Sequence, residues 1–189
     1  MARTVVPTFT ASVLTAAQMN TYVRDNVNAL LSPPRAYIYR TTLQTIPSVT
    51  WTKLALDSSL FSSGVTLDGT GRITITESGL YSIEAQATFT STAVAGTAAD
   101  MRVCVGPAAT IQNNYVDSDA RFELPATEIM VGRIATMNQL TVGQWLEMYV
   151  YHDSAGAGAA RDIIVDGTAT PVVGPSSPRL VICKLAELA

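Results

Sequence analysis

The hydrophobic pattern of the chain changes at Ser32-Pro33-Pro34. Before this point, four apolar residues recur at steps of three and four, which predicts one face of an α-helix: Met19, Val23, Val27 and Leu30. Thr15 and Gln18 have the spacing of a capping box at the start of this helix. The prolines predict its end, because proline offers no amide hydrogen and disfavours α geometry in the preceding residue. We therefore divide the chain into a helical segment, 1–34, and a second unit, 35–189.

A single helix of this length is marginally stable in water, so its apolar face is expected to dock on something. It could pack on its own domain, or against neighbouring subunits or a larger assembly, and we favour the assembly. A parallel coiled coil is a weaker alternative, because heptad spacing through Met19 and Val23 would place Asn26 in the seam.

After Pro34 the pattern changes to short strands of period two. The clearest is Leu80–Phe89, where apolar and polar residues alternate, and Ile73 and Ile75 alternate in the same way. Further strands are predicted at Ala36–Thr41, Val49–Leu56, Met101–Val105, Glu128–Thr136, Gln144–His152, Arg161–Val165 and Arg179–Leu185. The small-residue stretches Ser91–Ala99 and Ser154–Ala160 are predicted to be loops. Many short strands without helices between them indicate an all-β sandwich or barrel.

Two of these strands, Gln144–His152 and Arg179–Leu185, are apolar on both sides. A sandwich strand that is covered by its partner sheet alone should have one polar side. A subunit interface is the simplest cover for the second side, and the N-terminal segment or a loop is the alternative. The candidate interface residues are Trp145, Tyr149, Tyr151, Val181 and Leu185.

Composition limits the classes of partner. The net charge is -3 and no cluster of Lys or Arg occurs, which disfavours binding to nucleic acid or to an anionic membrane. The apolar runs are shorter than the ~20 residues that a membrane helix needs. The N-terminus has no signal-peptide core, so we expect synthesis in the cytoplasm. Cys104 and Cys183 are expected to be free, buried thiols in a protein made in the cytoplasm, with a disulfide between them as the alternative.

Residue types that carry catalysis or bind metals are sparse. His152 is the single histidine, and no nucleophile motif accompanies it, so we interpret His152 and Asp153 as a pair at a loop edge. Asp117 and Asp119 are predicted to lie in a solvated loop, with calcium binding as the alternative. We therefore expect no enzyme activity, no catalytic residue, no metal and no cofactor.

Several motifs resemble those of a known family. The residues that carry the resemblance are Thr50–Leu54, Phe61, Arg72–Ile75, Glu77–Phe89 and Val142–Leu146. Through them the chain resembles phage virion proteins with the jelly-roll domain of complement heads and tumour-necrosis-factor-like cytokines. Leu14–Asn26 is similar to the opening segment of many phage surface and tail-appendage proteins. The resemblance implies a two-sheet antiparallel jelly-roll sandwich of about ten strands with one short N-terminal α-helix.

The same resemblance implies a function. It indicates a homotrimeric, non-enzymatic structural protein of the bacteriophage virion, assembled in the host cytoplasm, in which residues 1–34 are the attachment segment and 35–189 the knob. Partners would then be other virion proteins of the capsid or tail. The chain has no collagen-like shaft, which favours a capsid decoration or head fibre close to the particle surface. The alternative is a tail or baseplate knob that binds a host surface receptor and mediates adsorption.

Overall fold

A computed structural model describes residues 15–90, 96–107, 114–124, 130–153, 160–163 and 177–187. The helix near the N-terminus consists of α1 (Ala16–Met19), a π-helical turn (Asn20–Arg24) and α2 (Asp25–Leu31). Its start confirms the predicted capping box: Gln18 donates its amide to Thr15 Oγ1 at 3.2 Å, and Thr15 donates its amide to Gln18 Oε1 at 2.9 Å. Helical geometry ends at Ser32, directly before the two prolines, as predicted.

In the described residues, thirteen strands follow the helix. They are β1 (Arg35–Tyr39), β2 (Gln44–Pro47), β3 (Thr52–Lys53), β4 (Ser58–Ser63), β5 (Val65–Leu67), β6 (Ile73–Ile75), β7 (Gly79–Phe89), β8 (Gly96–Gly106), β9 (Tyr115–Leu124), β10 (Met130–Leu140), β11 (Trp145–His152), β12 (Ala160–Ile163) and β13 (Arg179–Ala186). All paired strands are antiparallel. The predicted all-β class with one short N-terminal helix is therefore confirmed.

The strands form two sheets that face each other. The first sheet has the order β2-β12-β7-β13-β1-β4, and β10 also pairs with β7. The second has the order β5-β6-β11-β8-β9, with β3 paired to β11. Alternate side chains of both sheets meet in one core, and its fully buried members include Ile83, Ala87, Val103, Leu146, Met148, Val150 and Leu180. The period-two pattern of the central strands therefore places one side of each strand in the core and the other on an outer face.

Several predicted strands need correction. The predicted strand Val49–Leu56 contains only the two-residue β3, because Ser48–Thr50 form a turn in which Val49 has a φ of 59°. A β-branched residue rarely adopts this left-handed conformation, so the pattern gave no sign of the turn. Gln44–Pro47 and the short strands Ser58–Ser63 and Val65–Leu67 were not predicted. Ser58–Ser63 escapes prediction because it is largely exposed, with little alternation.

The Asp117 and Asp119 prediction was also wrong. These residues lie in edge strand β9, where Asp117 pairs with Val103 and Asp119 with Met101. Carboxylates are common on edge strands, because their charge opposes pairing with another chain, so a polar sequence here is compatible with a strand. The predicted loop Ser91–Ala99 is likewise shorter, since β8 already begins at Gly96.

Some predictions fall outside the described residues. These are Leu14 of the N-terminal motif, residues 91–95 and 154–159 of the two predicted loops, and residues 125–129 and 164–165 at strand ends. The junction between helix and sandwich is described. Pro34 is buried, its carbonyl oxygen accepts a 2.8 Å hydrogen bond from the Lys184 amide, and it lies against Gly64. The point at which the helix leaves the sandwich is therefore fixed by β13 and the β4–β5 turn.

Candidate functional site

The five predicted interface residues lie on two opposite outer faces. In β11 the core side chains are Leu146, Met148 and Val150, so Trp145, Tyr149 and Tyr151 point outward from the second sheet. In β13 the core side chains are Leu180 and Ile182, so Val181 and Leu185 point outward from the first sheet. The structure does not bring the five residues together into one surface.

The outer face of the first sheet carries several exposed apolar residues. The exposed Glu84 lies beside Val181 on this face, and the Arg35 guanidinium lies 5.5 Å from the Phe61 ring centroid. Cross-strand pairing places Phe61, Tyr37 and Val181 side by side in β4, β1 and β13. Met137 of β10 lies opposite Ser82 of β7 on the same face. Met137 is 64% exposed, Leu185 53% and Phe61 41%. We call this surface the apolar face: Tyr37, Phe61, Met137, Val181 and Leu185. Sequence reasoning missed Met137 and Phe61, because neither lies in a doubly apolar strand.

The outer face of the second sheet combines rings with charges. We call it the aromatic–cation face, and its members are Trp51, Lys53, Arg72, Arg102, Tyr115, Trp145, Glu147, Tyr149 and Tyr151. Both tryptophans of the chain are among them. The sequence prediction included the three rings of β11 but missed Glu147 of the same strand and the members from β3, β8, β9 and the segments that precede β3 and β6.

Glu147 is the centre of this face. Its side chain is 2% exposed, and Oε1 accepts hydrogen bonds from Lys53 Nζ at 2.5 Å and Arg72 Nε at 2.9 Å. Its other oxygen, Oε2, accepts a 3.2 Å hydrogen bond from the Tyr149 hydroxyl. Burial and the neighbouring charge of Glu147 raise the pKa of Tyr149 to about 12. A buried carboxylate with three donors is well compensated, so this cluster holds the face together.

Arginines cover the two tryptophans. The Arg72 guanidinium lies 3.9 Å from the ring centroid of Trp145, and the Arg102 guanidinium lies 4.1 Å from that of Trp51. Arg102 also lies 4.6 Å from the Tyr115 ring, which is 46% exposed. These are cation–π distances. The outer sides of the indoles are therefore partly covered by planar cations rather than by apolar groups.

Glycine at position 106 makes room for one of these rings. A Cβ atom there would lie 2.1 Å from carbons of the Trp145 ring. The ring can therefore lie flat over the β8 backbone only because residue 106 has no side chain. Tyr151, six residues after Trp145 in β11, is covered by Trp51, with 5.3 Å between the two ring centroids.

The helix presents its apolar residues to solvent. Met19, Val23, Val27 and Leu30 are 49, 52, 44 and 70% exposed. The described part of the sandwich therefore does not cover the predicted attachment residues. No described residue of α1 or of the π-helical turn is buried.

His152 is a core residue rather than the predicted loop-edge residue. It is fully buried at the end of β11, and its Nε2 lies 2.8 Å from the Ile46 carbonyl oxygen. Burial lowers the pKa of His152, and the charge of Arg161 lowers it further, against the opposing effect of the Ile46 hydrogen bond. β11 ends at His152, as the predicted strand did, and the alternation of the strand places the His152 side chain between the sheets.

The cysteines are free, as predicted. Cys104 is buried in β8, where burial raises the pKa of its thiol to about 12, and Cys183 is partly buried in β13. They lie in different sheets. Thiols of raised pKa are poor nucleophiles at neutral pH, so Cys104 behaves as a small apolar residue.

A cleft of about 240 Å³ lies beside Arg72, between Ile38, Leu56 and Leu67. Its size is below the roughly 300–1,000 Å³ of typical small-molecule sites. Asp57 on its wall accepts hydrogen bonds from Thr41 and Thr42. Burial raises the pKa of Asp57, but these hydrogen bonds outweigh that effect and the pKa lies below its usual value. The carboxylate is thus already engaged by the chain itself.

The described residues contain neither a metal-binding cluster nor a membrane-spanning helix. No group of three His, Cys, Asp or Glu side chains lies in an arrangement that could hold a metal ion. None of the helices in that part of the chain is both long enough and apolar enough to span a membrane.

Comparison with known proteins gives the fold. No protein-family model and no curated protein matches the chain. Among solved structures, Eiger TNF from S. frugiperda is similar, with 15% identity and a TM-score of 0.57 over 82% of this chain and 96% of that one. Murine APRIL at pH 8.0 is similar too, with 11% identity and a TM-score of 0.56 over 80% of this chain and 98% of that one. The predicted jelly roll is therefore confirmed as a tumour-necrosis-factor-like sandwich, and the likeness shows the fold alone.

Proposed function

We propose that the chain is a non-enzymatic structural protein of a bacteriophage virion, a jelly-roll knob seated on the particle by its N-terminal segment. The observation that carries this proposal is the exposed apolar side of the helix. Burying apolar surface contributes about 25 cal/mol per Å², so four exposed apolar residues on one helix favour a partner. The fixed junction at Pro34 suits an anchor, since it holds the knob at a set position relative to the helix.

The location on the virion follows from the resemblance of Leu14–Asn26 to phage attachment segments. The short distance between helix and knob favours a capsid decoration or head fibre that lies close to the surface. The protein would be assembled in the host cytoplasm and reside in the virion. The alternative is a tail or baseplate knob that mediates host adsorption, and the aromatic–cation face favours it, because such a surface can bind a ligand.

We propose further that three copies associate through the apolar face. Phe61, Tyr37 and Val181 lie side by side, and the exposed Met137 and Leu185 lie on β10 and β13 of the same sheet. Exposed apolar residues of this kind mark subunit contacts in soluble proteins. The aromatic–cation face is a poorer choice, because the chain already covers its rings with its own cations. Val181 and Leu185 are then interface residues, and Trp145, Tyr149 and Tyr151 are not.

A helix variant tests the anchor. The double substitution Val23→Asp/Val27→Asp places charges on the apolar side, and we expect the knob to stay folded and trimeric but to be lost from purified particles. Asn28→Asp, on the polar side, is the matched control and should be incorporated normally. Incorporation of the double variant at the wild-type level would contradict the anchor.

Copy number separates the two locations. Quantitative mass spectrometry of purified particles should find many copies per particle for a capsid decoration, and particles without the protein should adsorb normally but have a weaker shell. A few copies per particle, together with lost adsorption, would instead establish the receptor-binding knob.

A further inference from the structure

The aromatic–cation face has the side chains that dominate binding hot spots. Tryptophan, tyrosine and arginine are enriched at such sites because they combine a large flat contact area with a polar group. Here both tryptophans lie within one patch with Arg72, Arg102 and Tyr115. The predicted attachment and the association of copies use the helix and the opposite sheet, so this patch has no role in either.

The charges of this face are ordered by depth. The carboxylates are the buried partners: Glu147 is 2% exposed and Asp100 13%. The cations are more accessible, with the side chains of Arg72, Lys53 and Arg102 at 37, 27 and 20%. The cations are therefore more accessible than Glu147 and Asp100, and the exposed carboxylate of Asp68 lies near Lys53 at one margin of the face. The accessible guanidinium groups are complementary to an anionic group of a ligand.

The guanidinium group of Arg72 is oriented to bind such a ligand. Its Nε donates to Glu147 and its plane lies against Trp145, so both contacts fix the orientation of the guanidinium. Among the described residues, Nη1 and Nη2 of Arg72 have no hydrogen-bond partner. Two adjacent N–H donors on a fixed plane match the two oxygens of a carboxylate.

We propose that the aromatic–cation face binds an acidic saccharide, with its carboxylate on Arg72 and a sugar ring against Tyr115. The C–H side of a sugar ring can lie flat on an exposed aromatic ring, and its hydroxyls suit a partly hydrated surface. Tyr115 in β9 pairs with Cys104 in β8, which pairs with Glu147 in β11, and Arg72 donates to Glu147 from the segment next to β6. Three strand spacings, roughly 14 Å, therefore separate Arg72 from Tyr115, which is the scale of an oligosaccharide rather than a single sugar.

Two other classes of ligand fit less well. A peptide that adds a strand would pair with the backbone of a sheet edge, whereas these side chains lie on the outer face of the sheet, from β11 across β8 to β9. A nucleic acid would need many phosphate contacts, whereas the three cations here are offset by the carboxylates of Glu147, Asp100 and Asp68. The inference does not depend on the virion proposal, because the isolated full-length chain suffices to test it.

The test is titration calorimetry of the full-length protein with three acidic probes: oligogalacturonate, sialyllactose and a glucuronate-containing oligosaccharide. Methyl-esterified oligogalacturonate and lactose are the matched neutral probes, and poly-glutamate represents an acidic peptide. We expect at least one acidic saccharide to bind and its neutral counterpart to bind at least about tenfold more weakly. Tryptophan fluorescence should change on binding, because both indoles lie on this face.

Variants locate the site. Arg72→Gln should weaken binding at least about tenfold, and Arg72→Lys should restore part of it, since lysine keeps the charge but not the two-nitrogen plane. Tyr115→Ala, at an exposed edge-strand position, provides a second variant that should fold and bind weakly. Arg133→Gln, an exposed arginine of the first sheet, is the control and should bind as wild type.

The inference is overturned if none of the three acidic saccharides binds, if the neutral probes bind equally well, or if poly-glutamate alone binds. It is overturned as well if Arg72→Gln and Tyr115→Ala, both folded, bind with wild-type affinity. Loss of binding in both variants with retention in Arg133→Gln supports it, whatever happens to incorporation into particles.

Discussion

The two outer faces of the sandwich differ in how their apolar groups are covered. On the aromatic–cation face, each ring of β11 contacts another side chain of the same chain: Trp145 contacts Arg72, Tyr149 contacts Glu147, and Tyr151 contacts Trp51. On the apolar face, Met137 and Leu185 remain more than half exposed. Both strands have apolar residues on both sides, yet one pattern is satisfied within the chain and the other favours a partner.

The reason lies in the neighbouring strands. Tyr149 is paired with Lys53 on one side and Arg102 on the other, so long cationic side chains can extend across the rings. Val181 is paired with Tyr37 and Glu84, which supply no such cover. A doubly apolar strand therefore indicates a subunit interface only when its paired neighbours do not extend cations across its outer side.

The largest effect is expected from a charge on the apolar face. Met137→Asp places a carboxylate where we propose that copies meet, and desolvating it three times per trimer should weaken association by more than about 100-fold. Sedimentation velocity at micromolar concentration should show monomers. Thr66→Asp, at an exposed position on the outer side of the second sheet, is the control and should remain trimeric. Wild-type protein that sediments as a monomer would contradict the proposed association through the apolar face.

The next largest effect is expected on the stability of the protein when the aromatic–cation face is changed. Glu147→Gln removes the buried charge that compensates Lys53 and Arg72, and should lower the free energy of unfolding by about 2 kcal/mol. Both cations are partly exposed, which keeps the loss below that of a fully buried pair. Denaturant unfolding measures this loss of stability. Glu84→Gln, an exposed carboxylate on the first sheet, should change stability by no more than about 0.5 kcal/mol.

A glycine pair compares the packing of the two sheets. Gly106→Ala forces a methyl group into the Trp145 ring and should cost about 1–3 kcal/mol, because the ring cannot shift without leaving Arg72. In Gly132→Ala the added carbon would lie 3.4 Å from Met101 Cβ, an ordinary contact, so little loss is expected. Thermal unfolding measures the stability of both variants. Equal losses of stability would contradict the prediction that the tight contact at Gly106 determines the cost.

The smallest effect concerns His152, which lies between the sheets and belongs to neither face. Its pKa is lowered by folding, so the unfolded chain binds more protons below pH 6.5 and stability should fall as the pH drops below this value. The slope is at most about 1.4 kcal/mol per pH unit for one group. His152→Gln should remove this slope above pH 5. A wild-type stability that is flat between pH 7 and 5 would contradict the lowered pKa.

Much of the fold could be predicted from the sequence, because it is carried by local patterns. The capping box of Thr15 and Gln18, the proline stop and the alternation in Leu80–Phe89 each act over a few residues. Even in that strand the pattern was incomplete: Gln86 and Thr88, expected on an outer polar face, are buried.

The candidate sites were less predictable, because they depend on which strands become neighbours. Trp145 and Tyr151 were identified from one strand, but the arginines that cover the indoles come from the segment that precedes β6 and from β8. Edge strand β9 was missed because its carboxylates resemble a loop, and Tyr115 was missed with it. Period-two spacing shows that a side is apolar; it does not show what lies against it.

The central claim is that the apolar face is covered by other copies while the aromatic–cation face stays open. Hydroxyl-radical footprinting of the native protein measures both faces in one experiment. We predict that oxidation of Met137 and Phe61 decreases as protein concentration rises, while oxidation of Tyr115 stays constant. Protection of Tyr115, with Met137 oxidised equally at every concentration, would contradict the account.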